Sequence, residues 1–308
     1  MSASLEPVLE AGASLGESPV WDDRTGTLLW VDVHRRQLHR WDPSASVDHS
    51  FTLDEPIGSV ALREDGGLVG AVGMSLGGID EEAAFFSAWH TVRAGDRMND
   101  GGCDPSGRYL AGTLTEPLKE GASALFSLEP DTEPGGRIHQ VLSNVTLSNG
   151  LAWSADGHTL YYIDTFLETV DAFAYELETG EIDSRSRRTI VDLHDVSGRP
   201  DGMTIDADGN LWVAMARGRA VRCYDSQGHL QHHVDVPAPV VTSCTFGGPD
   251  FSDLYITTGQ WPATAEELSG WPHAGAVFRL TGTGARGVPS RRFGSPTQPG
   301  RESGALPA

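Results

Sequence analysis

Apolar runs of about five residues alternate with turn signals along almost the whole chain. Leu28-Leu-Trp-Val-Asp32 follows a turn at Gly26, and Leu68-Val-Gly-Ala-Val72 follows Gly66-Gly67. Tyr109-Leu-Ala-Gly-Thr113, Thr159-Leu-Tyr-Tyr-Ile163 and Leu211-Trp-Val-Ala-Met215 follow turns at Gly107, Gly157 and Gly209. A sixth unit runs from Cys244-Thr-Phe246 through a longer turn to Asp253-Leu-Tyr-Ile-Thr257 and Ala276-Val-Phe-Arg-Leu280. Each run is short, rich in β-branched and aromatic residues, and bounded by glycine, so each predicts a strand. Long apolar stripes with a helical period are missing. Only Asp80-Glu-Glu-Ala-Ala-Phe-Phe86 has a helix-like composition, and a loop fits it equally well.

The turn glycines at 26, 66, 107, 157 and 209 are 40 to 52 residues apart, the repeat length of four-stranded propeller blades. The predicted fold is all-β: a six-bladed β-propeller with four-stranded blades. The sixth unit shows three strands, and Pro7-Val-Leu-Glu10 at the N-terminus supplies the fourth, closing the ring without a free sheet edge. Residues 1–283 form this single domain. Residues 284–308, rich in Gly, Pro, Ser and Arg, read as a disordered tail.

A polar residue recurs at one phase of the repeat. Glu17, Asn99, Asn149 and Asp201 each lie eight or nine positions before a turn glycine. Equal phase in a ring of repeats means equivalent positions around the axis, so these oxygen-bearing side chains are expected to converge. Carboxylates and amides together suit a hard or borderline divalent cation. Asn-Gly and Asp-Gly pairs are also common turn formers. Glu17 before Ser-Pro has no such turn role.

The segments Gly16-Glu17-Ser-Pro-Val-Trp21, Arg97-Met-Asn99-Asp-Gly101, Tyr109-Leu-Ala-Gly-Thr113, Ser148-Asn149-Gly-Leu-Ala-Trp153, Tyr162-Ile-Asp164 and Pro200-Asp201-Gly-Met203 occur in this order. Together they resemble the SMP-30/gluconolactonase family over roughly residues 10 to 280. The resemblance implies a propeller enzyme that opens a sugar lactone to the aldonic acid, with one divalent cation (Ca²⁺, Zn²⁺, Mn²⁺, Mg²⁺ or Fe²⁺) in its channel. It implies Glu17, Asn149 and Asp201 as metal ligands, and Arg97 and Asn99 as substrate-binding residues. Asn149 is placed in both roles. A substrate-binding Glu used by some members maps near Glu116, which falls one position early, with Pro117 in the expected place. Asp201 is then the candidate catalytic base for the attacking water. Two alternatives are an aryl-ester or organophosphate hydrolase on the same scaffold, and a non-catalytic calcium-binding propeller.

Net charge is −21, which excludes the basic footprint of a nucleic-acid binder and disfavours anionic membranes. No apolar run is long enough to span a bilayer. The N-terminus lacks signal-peptide features, so the expected location is the cytoplasm, as a monomer or weak homodimer. Three scattered cysteines make neither a disulfide framework nor a zinc cluster. Gly12-Ala-Ser14-Leu-Gly16 and Gly73-Met-Ser75-Leu-Gly77 match a serine-hydrolase pattern, but no strand–turn–helix alternation surrounds either one.

Overall fold

The computed structural model describes residues 3–130 and 136–294. Among these, twenty-four strands form six four-stranded antiparallel sheets, with very little helix. Blades 1 to 5 are built from consecutive strands. Their innermost strands are Gly16–Asp22, Ile57–Leu62, Arg97–Cys103, Ser148–Trp153 and Arg199–Ile205. Blade 6 starts with Val240–Gly247 and ends with the N-terminal strand Ser4–Leu9, paired antiparallel to Val277–Thr281. The ring is therefore closed by the N-terminus, as the missing sixth-blade strand required. The stretch 81–84 is a turn, and Phe85 and Phe86 belong to an outer strand.

The blades are held together by apolar clusters, one at each blade interface. Trp212, Phe246 and Phe278 fill the space between blades 5 and 6. Trp21, Trp30, Trp41 and Tyr255 fill that between blades 6 and 1. Burying each such side chain is worth about 2–3 kcal/mol. Aspartates open several of the turns. Asp104 Oδ1 accepts from the Ser106 and Arg108 amides, and Asp206 Oδ1 from those of Asp208 and Asn210. Asp206-Ala-Asp208-Gly-Asn210 is thus a hairpin turn.

Every innermost strand is irregular at the same place. The register slips between Glu17 and Val20, Ile57 and Ser59, Met98 and Gly101, Ser148 and Leu151, Pro200 and Met203, and Val241 and Ser243. A bulge leaves residues unpaired and re-aims their side chains. Asn99, Asn149 and Asp201 lie within these bulges, and Glu17 lies at the edge of one. The glycines after Asn149 and Asp201 have a packing reason. A Cβ on Gly150 would come within 2.9 Å of the Asp201 carbonyl oxygen, and one on Gly202 within 2.1 Å of Ser243 Oγ. Asn149-Gly150 and Asp201-Gly202 are therefore not turns. They are bulges where adjacent inner strands approach too closely for a side chain.

The tail reading needs correction over its first part. Residues 284–294 are ordered as a strap across the face opposite the strand starts. The Ala207 amide bonds the Arg286 carbonyl, and Gly287 bridges Asp206 of blade 5. Ser290 Oγ bonds the Trp21 carbonyl of blade 1. Arg292 pairs with Asp22 and Asp23 at 3.2 and 2.6 Å, and Phe293 bridges Arg63 of blade 2. Phe293 is buried against Trp89. A Gly/Pro/Ser/Arg composition cannot build its own core, but this segment borrows one from the ring. The rest of the predicted tail, residues 295–308, lies outside the described residues.

Candidate functional site

The bulges aim Glu17, Asp100 and Asp201 from blades 1, 3 and 5 toward the channel axis. All three are part-buried. Burial, then the charges of Asp201 and Asp100, push the Glu17 carboxyl well above its usual range, against the Ser18 amide and Arg97. Burial and the Asp100 charge likewise push up Asp201. Burial pushes Asp100 to about 6, opposed by a 2.8 Å bond from the Gly101 amide. These carboxylates feel one another as like charges in a poorly solvated ring.

The cation that both Glu17 and Asp201 feel, Arg97, is engaged elsewhere. Its Nε donates to Glu116 Oε1 at 2.9 Å and its Nη1 to Asn99 Oδ1 at 2.9 Å. Asn99 Nδ2 donates to the Ser148 carbonyl and to Asn149 Oδ1, at 2.7 and 3.0 Å. Asn149 Nδ2 donates to Thr165 Oγ1 at 2.7 Å, and the Thr165 hydroxyl donates to the Pro200 carbonyl at 2.9 Å. One chain of hydrogen bonds thus runs from Glu116 on the rim to the residue preceding Asp201. It crosses blades 3, 4 and 5 and fixes the amide orientations: Asn149 turns its nitrogen to Thr165, and its oxygen, which accepts from Asn99, keeps one lone pair unused.

The structure thus brings together the candidates Arg97, Asn99, Asn149 and Glu116 by direct contact, and Glu17 and Asp201 by shared electrostatics. Glu116 reaches Arg97 despite its early position. Its side chain stays 61% exposed, so it belongs to the rim rather than the interior. Asp100 was not among the residues singled out from the sequence. Its signal was available: it lies in the same bulge as Asn99. Thr165, which orients Asn149, had no sequence signal, because it sits in the loop after another strand.

The donor set fits a divalent cation. Among the described residues, no three carboxylate, imidazole or thiolate side chains form a cage by themselves. A cation here would need a neutral oxygen as well, and Asn149 Oδ1, which has a second lone pair beyond the one that accepts from Asn99, could supply it. The mutual repulsion of Glu17, Asp100 and Asp201 is the electrostatic signature of a place that gains from a positive charge. Thiol chemistry is unsupported: Cys103, Cys223 and Cys244 are buried, and burial pushes the Cys223 thiol up to about 12.

Residues 15–260 match the family model described as SMP-30/gluconolactonase/LRE-like region. The chain belongs to the SMP-30/gluconolactonase family. It is 39% identical to regucalcin of Oryctolagus cuniculus over 297 residues, covering 94% of this chain and 97% of the relative. The solved structure of a calcium-binding regucalcin from Agrobacterium tumefaciens superposes with a TM-score of 0.88 at 24% identity, covering 94% of this chain and 97% of that one. A gluconolactonase from Xanthomonas campestris gives a TM-score of 0.72 at 23% identity, covering 91% and 89%. Those two likenesses speak to the propeller alone. Membership of the SMP-30/gluconolactonase family rests on the sequence match, which takes in Glu17, Arg97, Asn99, Asn149 and Asp201. Among the described residues, no helix is long and apolar enough to cross a membrane.

Proposed function

We propose that this propeller hydrolyses a sugar lactone to the corresponding aldonic acid with the help of one divalent cation. The observation that carries the reading is the convergence of part-buried, mutually repelling carboxylates beside an amide chain that runs through a permanently charged arginine. Glu17, Asn149 and Asp201 would hold the cation. When bound, the cation supplies a Lewis acid that polarises the lactone carbonyl and acidifies a water.

The chain's own residues carry the remaining work. Arg97 is preorganised by Glu116 and Asn99, and its remaining donors suit the hydroxyl and ring oxygens of a sugar. Asn99 is held by three bonds, so it presents a fixed amide to the substrate. Asp201 has no hydrogen-bond donor of its own among the described residues, which leaves its oxygens free to take a proton from water.

The test is proton release from a panel of sugar lactones by metal-stripped protein, with individual cations added back. Activity restored by at least one cation supports the reading. Cation binding without turnover of any lactone would favour the non-catalytic propeller instead. Cleavage of aryl esters in preference to lactones would favour the second hydrolase.

A further inference from the structure

The rim of blades 6 and 1, on the face where the innermost strands start, holds two residues that neither the sequence nor the family match singles out. His34 lies in the turn after Thr27–Asp32 of blade 1. Trp261 opens the connection between Asp253–Gly259 and Val277–Thr281 of blade 6. The equivalent connection in blade 1 spans residues 33–36, whereas this one spans 260–276. Long ordered loops on a propeller rim are the usual bearers of recognition.

The loop is built to hold Trp261 in place. The Trp261 amide bonds the Ser14 carbonyl at 2.9 Å, and Arg217 bonds the Pro262 carbonyl at 3.1 Å. Thr264 and Glu267 form a reciprocal capping box on the short helix that follows. Yet Trp261 is 53% exposed. Its neighbour is the His34 ring, edge-on at 4.8 Å and 84°. His34 Nδ1 is within 3.1 Å of Ser14 Oγ, which leaves Nε2 without a partner among the described contacts. His34 is also close enough to feel Arg97 and Glu116. Burial and the Arg97 charge hold it below its usual range, against Asp32 and Glu116, so the ring is neutral near pH 7. Ser14 belongs to one of the two serine-hydrolase patterns. It precedes a strand rather than sitting on an elbow into a helix, and Asp32 is bonded to backbone amides rather than to His34.

An ordered but exposed indole beside a free imidazole nitrogen, within electrostatic reach of a fixed guanidinium, has the chemistry of a carbohydrate wall. Apolar C–H faces of a sugar ring lie on the aromatic plane, and hydroxyls meet the polar groups at its edge. We propose that Trp261 and His34 form a polyol-recognising wall at the channel mouth and select hydroxylated lactones over plain ones. This rests on the lactonase reading for its substrate, but not for its binding.

Two lactones and a non-hydrolysable polyol test it. Trp261→Ala and His34→Phe are expected to raise KM for glucono-1,5-lactone about tenfold, with kcat within about twofold. The same variants leave kcat/KM for δ-valerolactone unchanged, and His34→Gln restores part of the loss. Binding of 1,5-anhydroglucitol quenches tryptophan fluorescence in wild type and loses that signal in Trp261→Ala. Equal losses on both lactones, or a wild type that does not bind the anhydroalditol, overturn the proposal. Loss of turnover with intact polyol binding in Ser14→Ala also overturns it, by making this corner a nucleophile site. A wild type that binds the polyol through Trp261 but hydrolyses no lactone defeats the lactonase reading while the wall stands.

Discussion

Asn149 shows how much of the site depends on one orientation. Its amide could present either nitrogen or oxygen to the channel. The Thr165 hydroxyl, committed as a donor to the Pro200 carbonyl, can only accept from Asn149, and that turns the oxygen toward Asn99 on the neighbouring blade. Thr165→Val keeps the shape and removes the acceptor. It is expected to weaken cation affinity by about tenfold, the lower end for loss of a group supporting a ligand, with Thr165→Ser near wild type. Calorimetric titration of the metal-stripped protein checks this, and equal affinity in all three proteins would remove Thr165 from the site. Asp201 separates binding from chemistry. Asp201→Asn keeps an oxygen that can coordinate but cannot accept a proton, so at saturating cation kcat is expected to fall by about 10²-fold or more. A kcat near wild type would mean that another group takes the proton.

The strap 284–294 is the element whose weight the structure changes most. It ties blades 5, 1 and 2 by hydrogen bonds, and its Arg291 lines a cavity of about 150 Å³ at the far end of the channel, together with Asp100. The opposite face, where the innermost strands start, carries Glu116, His34 and Trp261. Phe293→Ala removes a buried ring packed with Trp89 and is expected to cost about 3 kcal/mol in denaturant unfolding. A free tail would register nothing. Arg292 makes the strap pH-sensitive. Burial works against the charged form of Asp22, yet bonds from Arg292, Thr25, Arg40 and the Arg24 amide hold it below the usual carboxylate range. A depressed carboxylate stabilises the fold above its ordinary pKa and loses that contribution as pH falls through the folded value. The stability gap between wild type and Arg292→Ala should therefore be full near neutrality and shrink below about pH 4. A gap that widens in acid would contradict this account.

At the scale of the whole molecule, closure is the weak point. The strand Ser4–Leu9 holds the last blade through backbone pairing with Val277–Thr281, the Arg279–Glu6 ion pair at 2.5 Å and the packing of Leu5. Removing residues 1–9 would leave Val277–Thr281 as an open edge and uncover part of the interface between blades 5 and 6. The truncated protein is expected to unfold at lower temperature and to self-associate, as read by scanning calorimetry and size-exclusion chromatography. A monomer with wild-type melting would mean that the ring closes without this strand. The carboxylate cluster depends on closure too. Glu17 belongs to blade 1 and Asp201 to blade 5, so their approach requires the blade between 5 and 1 to be complete.

The sequence by itself determined the repeat, the number of blades, the closing strand and the phase at which polar residues meet the axis. These follow from local physics: a turn every 40 to 52 residues, a two-residue side-chain period, and equal phase meaning equal place. It also marked Glu17, Asn99, Asn149 and Asp201 by their common phase in the repeat, and the family resemblance singled out Glu17, Asn149 and Asp201 as candidate ligands. What lay beyond it were relations between distant segments. Asp100 gains its meaning only from facing two other carboxylates across the ring. Thr165 matters through an amide sixteen residues earlier. His34 and Trp261 are single residues in unrelated turns until folding sets them 4.8 Å apart. The strap was misread because composition reports whether a segment can bury itself, whereas order also comes from a surface that buries it. Only the closed ring provides that surface.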